Sequence, residues 1–235
     1  MMAIDLIHIV KVIVALVFLI EASRRDLKER LISNKLWMYM IIIFIPLDCL
    51  EYYIKPFSIV FAVAQFVFIF LFSYLIYWIG LYGGADAKAL MSLAIAFPVY
   101  PKFLNFPVLG TGMGIFTFST LANSVIVAPL LVIFLLIRNL VKGDLKFPHC
   151  LIGYREKVEN IKFHNLLEYV EGGKVVRKLR SIEATDEELR KLRNAGITEV
   201  WVSPALPFIC FITAGFLTAV FAGDLIYLAI KFLLS

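Results

Sequence analysis

Gly83-Gly84-Ala85-Asp86-Ala87-Lys88 sets a carboxylate just after two glycines, at the lip of a long apolar run. An acid at such a position is costly unless it is solvated, paired or used. The glycines lack a Cβ, so they tolerate positive φ and allow another backbone to approach the acid closely. Two readings of Asp86 stand at this point. It caps the helix that follows, where Asp and the helix dipole suit one another, or it reacts.

Composition describes what surrounds that stretch. Of the 235 residues, 61% are hydrophobic and 17% are charged, against about 45–50% and about 25% in soluble domains. A multi-spanning membrane protein follows, not a large soluble core. The net charge of +5 is modest, and the basic residues lie near the ends of apolar runs, where topology and anionic lipid account for them. Nucleic acid is not needed as a partner. Cys49, Cys150 and Cys210 form no C-x-x-C pair, and His8, His149 and His164 lack ligand spacing. No structural metal is expected, and no cofactor.

Windows long enough to cross a bilayer, roughly 20 residues each, fall near residues 4–22, 36–53, 57–79, 85–99, 114–141 and 205–233. The first carries Lys11 and has no basic leader, so it reads as a membrane helix rather than a signal peptide. The expected fold is an all-α membrane bundle of six transmembrane helices. A small cytoplasmic α+β domain precedes the last helix, giving segments 1–141, 142–203 and 204–235. Within that domain, Thr185-Asp186-Glu187-Glu188 is a capping box opening a helix that Gly196 ends. Gly172-Gly173 marks a hairpin, and residues 197–202 read as a further strand.

Orientation follows from the positive-inside rule. The first connection holds Arg24, Arg25, Lys28, Arg30 and Lys35, whereas the second and fourth hold only Lys55 and Lys102. The first connection is therefore expected in the cytoplasm, with both termini outside. Counting forward places Asp26 and Asp86 on the same cytoplasmic side, at similar depth. Asp224 falls toward the outer side, and Asp5 and Asp48 read as interfacial acids on that same side.

Asp26, in Arg24-Arg25-Asp26-Leu27-Lys28, has its own plain reading as an interfacial acid that neutralises its basic neighbours. Paired with Asp86 it has another. Two carboxylates brought close together cannot both ionise cheaply, so they share a proton. The ionised member then takes a proton from water while the protonated one polarises a scissile carbonyl. Sequence spacing permits this proximity without establishing it.

Asp26 followed by Ile32-Ser33-Asn34, together with Gly83-Gly84-Ala85-Asp86-Ala87-Lys88, resembles the type IV prepilin peptidase family. The similarity is greatest to its archaeal preflagellin (prearchaellin) peptidase branch. The resemblance covers most of the transmembrane part and little of the small domain. It implies a GxGD membrane aspartic endopeptidase that removes short, basic leader peptides from preflagellin or pilin-like precursors, whose hydrophobic helix lies in the bilayer. Asp26 and Asp86 are then the catalytic pair, and Gly83, Gly84 and Ala85 face substrate. Ala85 stands where the strict motif has its second glycine. Many bacterial relatives carry paired C-x-x-C motifs and also methylate the new N-terminus. This chain lacks those cysteines, which implies cleavage without N-methylation.

Pro204-Ala205-Leu206-Pro207 looks like the proline motif of presenilin-type GxGD proteases. That likeness gives Pro204 and Pro207 a substrate-positioning role, against the ordinary reading of prolines in a first helical turn. Gly110-Thr111-Gly112-Met113-Gly114 lacks a preceding strand and an acidic partner, so a loop or small-residue contact is expected rather than a nucleotide site. Two other readings compete with the peptidase. One is a small proton-coupled carrier or channel using the same aspartates as a relay, although no internal repeat is visible. The other is a scaffold subunit that docks through its polar domain.

Overall fold

The computed structural model describes residues 2–79, 83–161, 164–204 and 207–234. The chain divides into two compact units, Met1–Ile126 with Pro207–Ser235, and Val127–Leu206.

The first unit is helical. α1 (Met2–Glu29) is about 42 Å long at 1.5 Å per residue. Its inner stripe, Val12, Ala15, Leu19 and Ala22, recurs at helical spacing, while Leu6, Val10, Ile13, Val17 and Ile20 face outward. α2 (Asn34–Ile54) starts at an N-cap, Ser33, whose side chain accepts from the Lys35 N–H. α3 (Ile59–Ile79) buries little beyond Gln65, Ile69 and Ser73, and Gln65 donates to the Phe97 carbonyl at 3.0 Å. Among the described residues these three helices are long and apolar enough to cross a membrane.

α4 (Gly84–Ala96) is shorter, at 13 residues, and is the helix the others surround. Its small side chains Ala87, Ala89, Ala94 and Ala96 are buried, so α1, α2, α3 and further helices pack close to it. It stops at Ala96, short of Val99, because Phe97 precedes Pro98 and the residue before proline is steered out of the helical region. The Phe97 ring lies 5.7 Å from Phe44, 4.7 Å from Phe116 and 5.8 Å from Phe216. That aromatic knot closes the core below α4.

The run at 114–141 divides into α5 (Phe116–Val125) in the helical unit and α6 (Val127–Lys142) in the other. The run at 205–233 becomes α9 (Phe208–Phe221) and α10 (Leu225–Leu234), bent by 64° and counted as a fourth crossing if the pair is one span. Ala205 and Leu206, within the proline motif, lie outside the described residues. The bend is built by glycine. Gly223 has φ +109, and a Cβ on it would meet the Gly110 carbonyl. Asp224 then caps α10, accepting from the Tyr227 N–H and the Ser119 hydroxyl, each at 2.9 Å. The glycine-rich loop at 110–114 is thus the packing partner of the break.

Toward the N-terminal half of α1, Lys11 is 1% exposed and pairs with Asp48 at 2.7 Å and with Glu51. His8 Nε2 meets Glu51 at 3.0 Å, and its Nδ1 meets the Lys102 backbone. Asp48 is therefore the partner of a buried lysine rather than a solvated interfacial acid.

The second unit continues from α6 through α7 (His149–Ile152), β1 (Tyr154–Lys157), β2 (His164–Glu171), β3 (Lys174–Glu183), α8 (Asp186–Asn194) and β4 (Glu199–Pro204). The strands form one antiparallel sheet in the order β1-β4-β2-β3. β2 and β3 turn at Gly172-Gly173, both with positive φ. Thr185 caps α8 through the Glu188 N–H, and Leu189 and Leu192 bury against Leu166, Val200 and Val202. Buried Glu168 is satisfied by the Trp201 N–H and Arg177.

Candidate active site

Asp26 lies in the last turns of α1, one helical turn before Arg30, whose Nη1 is 3.8 Å from its Oδ1. The Asp26 side chain is 13% exposed. The backbone N–H of Ile209, in the first turn of α9, faces its carboxylate. That N–H is one of the donors a helix start leaves without an intrahelical partner.

Asp86 is more deeply buried, at 8% exposure. Its Oδ2 accepts from the Gly83 N–H at 2.8 Å, and its own N–H bonds the Gly83 carbonyl at 3.1 Å. Capping and reactivity are therefore not alternatives here: one oxygen holds the helix start, and among the described residues no donor sits on Oδ1. Gly83 has φ −78, an ordinary extended value, so positive φ is not what the glycine supplies. What matters is space, since a Cβ on it would lie 3.3 Å from Asp86 Oδ2. Gly84 and Ala85 follow in the first turn, with Gly84 against the Tyr77 ring.

The charges of Asp26 and of Arg30 both reach Asp86. Asp86 on α4 thus lies within the field of an acid and a cation at the end of α1. Pro207 is the N-cap of α9, two residues before Ile209, and so belongs to this end of the unit. Pro204 does not: it ends β4, paired with His164 in the other unit.

Sequence reasoning missed Ser23, Thr213 and Cys210, and left Lys88 open between tuning Asp86 and meeting lipid headgroups. Ser23 on α1 bonds Thr213 on α9 at 2.9 Å, stitching the helix that carries Asp26 to the helix whose N–H faces it. Cys210, one residue after Ile209 on α9, lies where the charges of Asp26 and Arg30 both reach it. Lys88 does not turn to Asp86 but donates to Asn34 at 2.7 Å, joining α4 to the start of α2. Polar residues at helical spacing in an apolar seam are the signal that Ser23 and Thr213 offered.

A family model described as the type IV leader peptidase family matches residues 13–137, and one described as the archaeal peptidase A24 C-terminus, type II, matches residues 145–225. The chain is 29% identical to a preflagellin peptidase of Methanococcus voltae, over 90% of this chain and 94% of that protein. Preflagellin peptidases of Methanococcus maripaludis and Methanocaldococcus jannaschii are each 26% identical. They cover 92% and 90% of this chain and 96% and 93% of their own lengths.

Proposed function

Because the chain belongs to the type IV leader peptidase family and is a protease acting on leader peptides, we propose that it cuts preflagellin-like precursors with Asp26 and Asp86 as an aspartic dyad. The observation that supports this reading is a buried Asp86, held at one oxygen by the Gly83 N–H, on which the charges of Asp26 and Arg30 both act. Asp26, facing a guanidinium and an N–H, is the ionised member that takes a proton from water. Asp86, the more buried, carries the proton that polarises the scissile carbonyl. Attack by that water gives a tetrahedral intermediate, and the proton held at Asp26 passes to the leaving amine. No covalent enzyme intermediate is needed.

The six apolar runs are read as six crossings, with α4 a short one whose first turn opens to cytoplasmic water. The precursor's hydrophobic helix lies in the bilayer while its basic leader sits beside the acids at the cytoplasmic face. Gly83, Gly84 and Ala85 line the approach, and Pro207 fixes the start of α9. The new N-terminus leaves unmethylated.

The test is cleavage of a membrane-embedded preflagellin-like substrate by the wild type, Asp26→Asn and Asp86→Asn. Mass spectrometry then reads the N-terminus of the product. Loss of cleavage in both variants supports the dyad. Near-normal cleavage by either one removes that acid from the mechanism, and a methylated product removes the last clause.

A further inference from the structure

Arg30 ends α1 with φ +56, its N–H still bonded to the Asp26 carbonyl at 3.3 Å. A left-handed residue just past a helix is the place where glycine is preferred, since a Cβ there meets the following carbonyl. This chain keeps an arginine instead. Its guanidinium lies 3.8 Å from the Asp26 carboxylate, one turn back on α1. Its charge also reaches Asp86 and Cys210. Backbone strain that a sequence retains alongside a specific side chain marks a functional constraint.

We propose that Arg30 is a positioning residue of the active site, holding the Asp26 carboxylate toward Asp86 and offsetting one of the two negative charges. The proposal rests on the reading of Asp26 and Asp86 given above. Two carboxylates that feel each other in a partly dry site repel, and the cheapest relief is for the more exposed one to swing into water. A cation one turn away opposes that swing. Arginine suits the task because it stays charged at any working pH and presents several donors in a rigid fork. Lysine offers the charge without the fork.

Three variants in detergent micelles separate this role from a structural one. Arg30→Gln removes the charge, and kcat is expected to fall about tenfold or more with KM changed less than about threefold. Arg30→Lys is expected to recover a substantial part of that loss. Arg30→Gly relieves the left-handed strain, so the midpoint of thermal unfolding rises by about 2–4 °C while kcat falls as far as in Arg30→Gln. A gain in stability with a loss of turnover is the signature of a side chain kept for the site. The proposal is overturned if Arg30→Gln or Arg30→Gly keeps kcat within about twofold, or if Arg30→Gly loses stability and turnover together. Asp26→Asn and Asp86→Asn, run alongside, separate the two failures. If they retain activity, the dyad itself is wrong; if they are dead while Arg30→Gln is fully active, only the role of Arg30 is.

Discussion

The helical unit holds two clusters of ionisable side chains that share α1, and they are built to opposite rules. Around Lys11 each acid has a close basic partner: the ammonium lies between Asp48 and Glu51, and His8 takes the second oxygen of Glu51. Around Asp26 the described ion pair is a loose 3.8 Å, and it reaches only one of the two acids. Burial of charge is expensive, and matched hydrogen bonding is what makes it tolerable. The first cluster spends its acids on holding α1 to α2. The second leaves an acid oxygen on Asp86 without a described donor, in the manner of a site kept for a substrate.

The largest expected effect breaks the second cluster. Asp26→Asn and Asp86→Asn each lower cleavage by roughly 10²–10⁴-fold, the range lost with a general acid or base. Their thermal unfolding midpoints stay level or rise, because an amide relieves the repulsion between two acids. A falling midpoint together with surviving cleavage would make these the structural residues and erase the contrast.

Next in size is the opposite cluster. Lys11→Met leaves Asp48 and Glu51 as buried, uncompensated acids, and is expected to cost about 3–5 kcal/mol of stability. Changing all three to apolar residues, Lys11→Met with Asp48→Leu and Glu51→Leu, restores most of it, since a matched pair and a well-packed apolar set are nearly equivalent. Cleavage per folded molecule stays the same throughout. Chemical unfolding of detergent-solubilised protein, paired with kcat, reads both quantities.

Gly83→Ala sharpens the comparison at smaller scale. The backbone at Gly83 suits alanine, so stability is barely touched. The new methyl sits 3.3 Å from Asp86 Oδ2 and displaces that carboxylate by a few tenths of an ångström. A catalytic group moved by that much is expected to lose roughly tenfold in kcat, whereas a mere helix cap would lose nothing measurable in turnover.

The two clusters also differ in how far they could be read from sequence. Asp86 and Asp26 stand out because charge beside glycine, or inside a basic turn, is conspicuous in an apolar chain. The Thr185 cap and the Gly172-Gly173 turn were legible for the same reason, since each is a local device complete within a few residues. Nothing local tells Lys11 that its partners lie on α2. Asp48 accordingly read as an interfacial acid until packing placed it on the lysine. Apolar length likewise marks where helices run but not where they stop. Pro98 ends α4 early without interrupting hydrophobicity, whereas Gly223-Asp224 visibly interrupts the last run but does not say that it bends there by 64°. The side-chain bond from Ser23 to Thr213 depends on how α1 and α9 cross, which is a tertiary fact.

The smallest expected effect concerns the strut between the motif segments. Lys88 donates to Asn34 at 2.7 Å, and both side chains are exposed. Water competes for each of them, so Lys88→Met, which keeps the stem and removes the ammonium, is expected to cost about 0.5–1 kcal/mol at most. Its effect on kcat is expected to stay within roughly twofold, because Asp86 takes its hydrogen bond from Gly83 rather than from Lys88. Asn34→Ala removes the acceptor, and the double variant is expected to match the worse single one, as partners in a single bond do. If Lys88→Met instead costs as much turnover as Gly83→Ala, the ammonium acts on Asp86 directly. Each acid of the site would then have a cation of its own, and the looseness of pairing that distinguishes it from the Lys11 cluster would vanish.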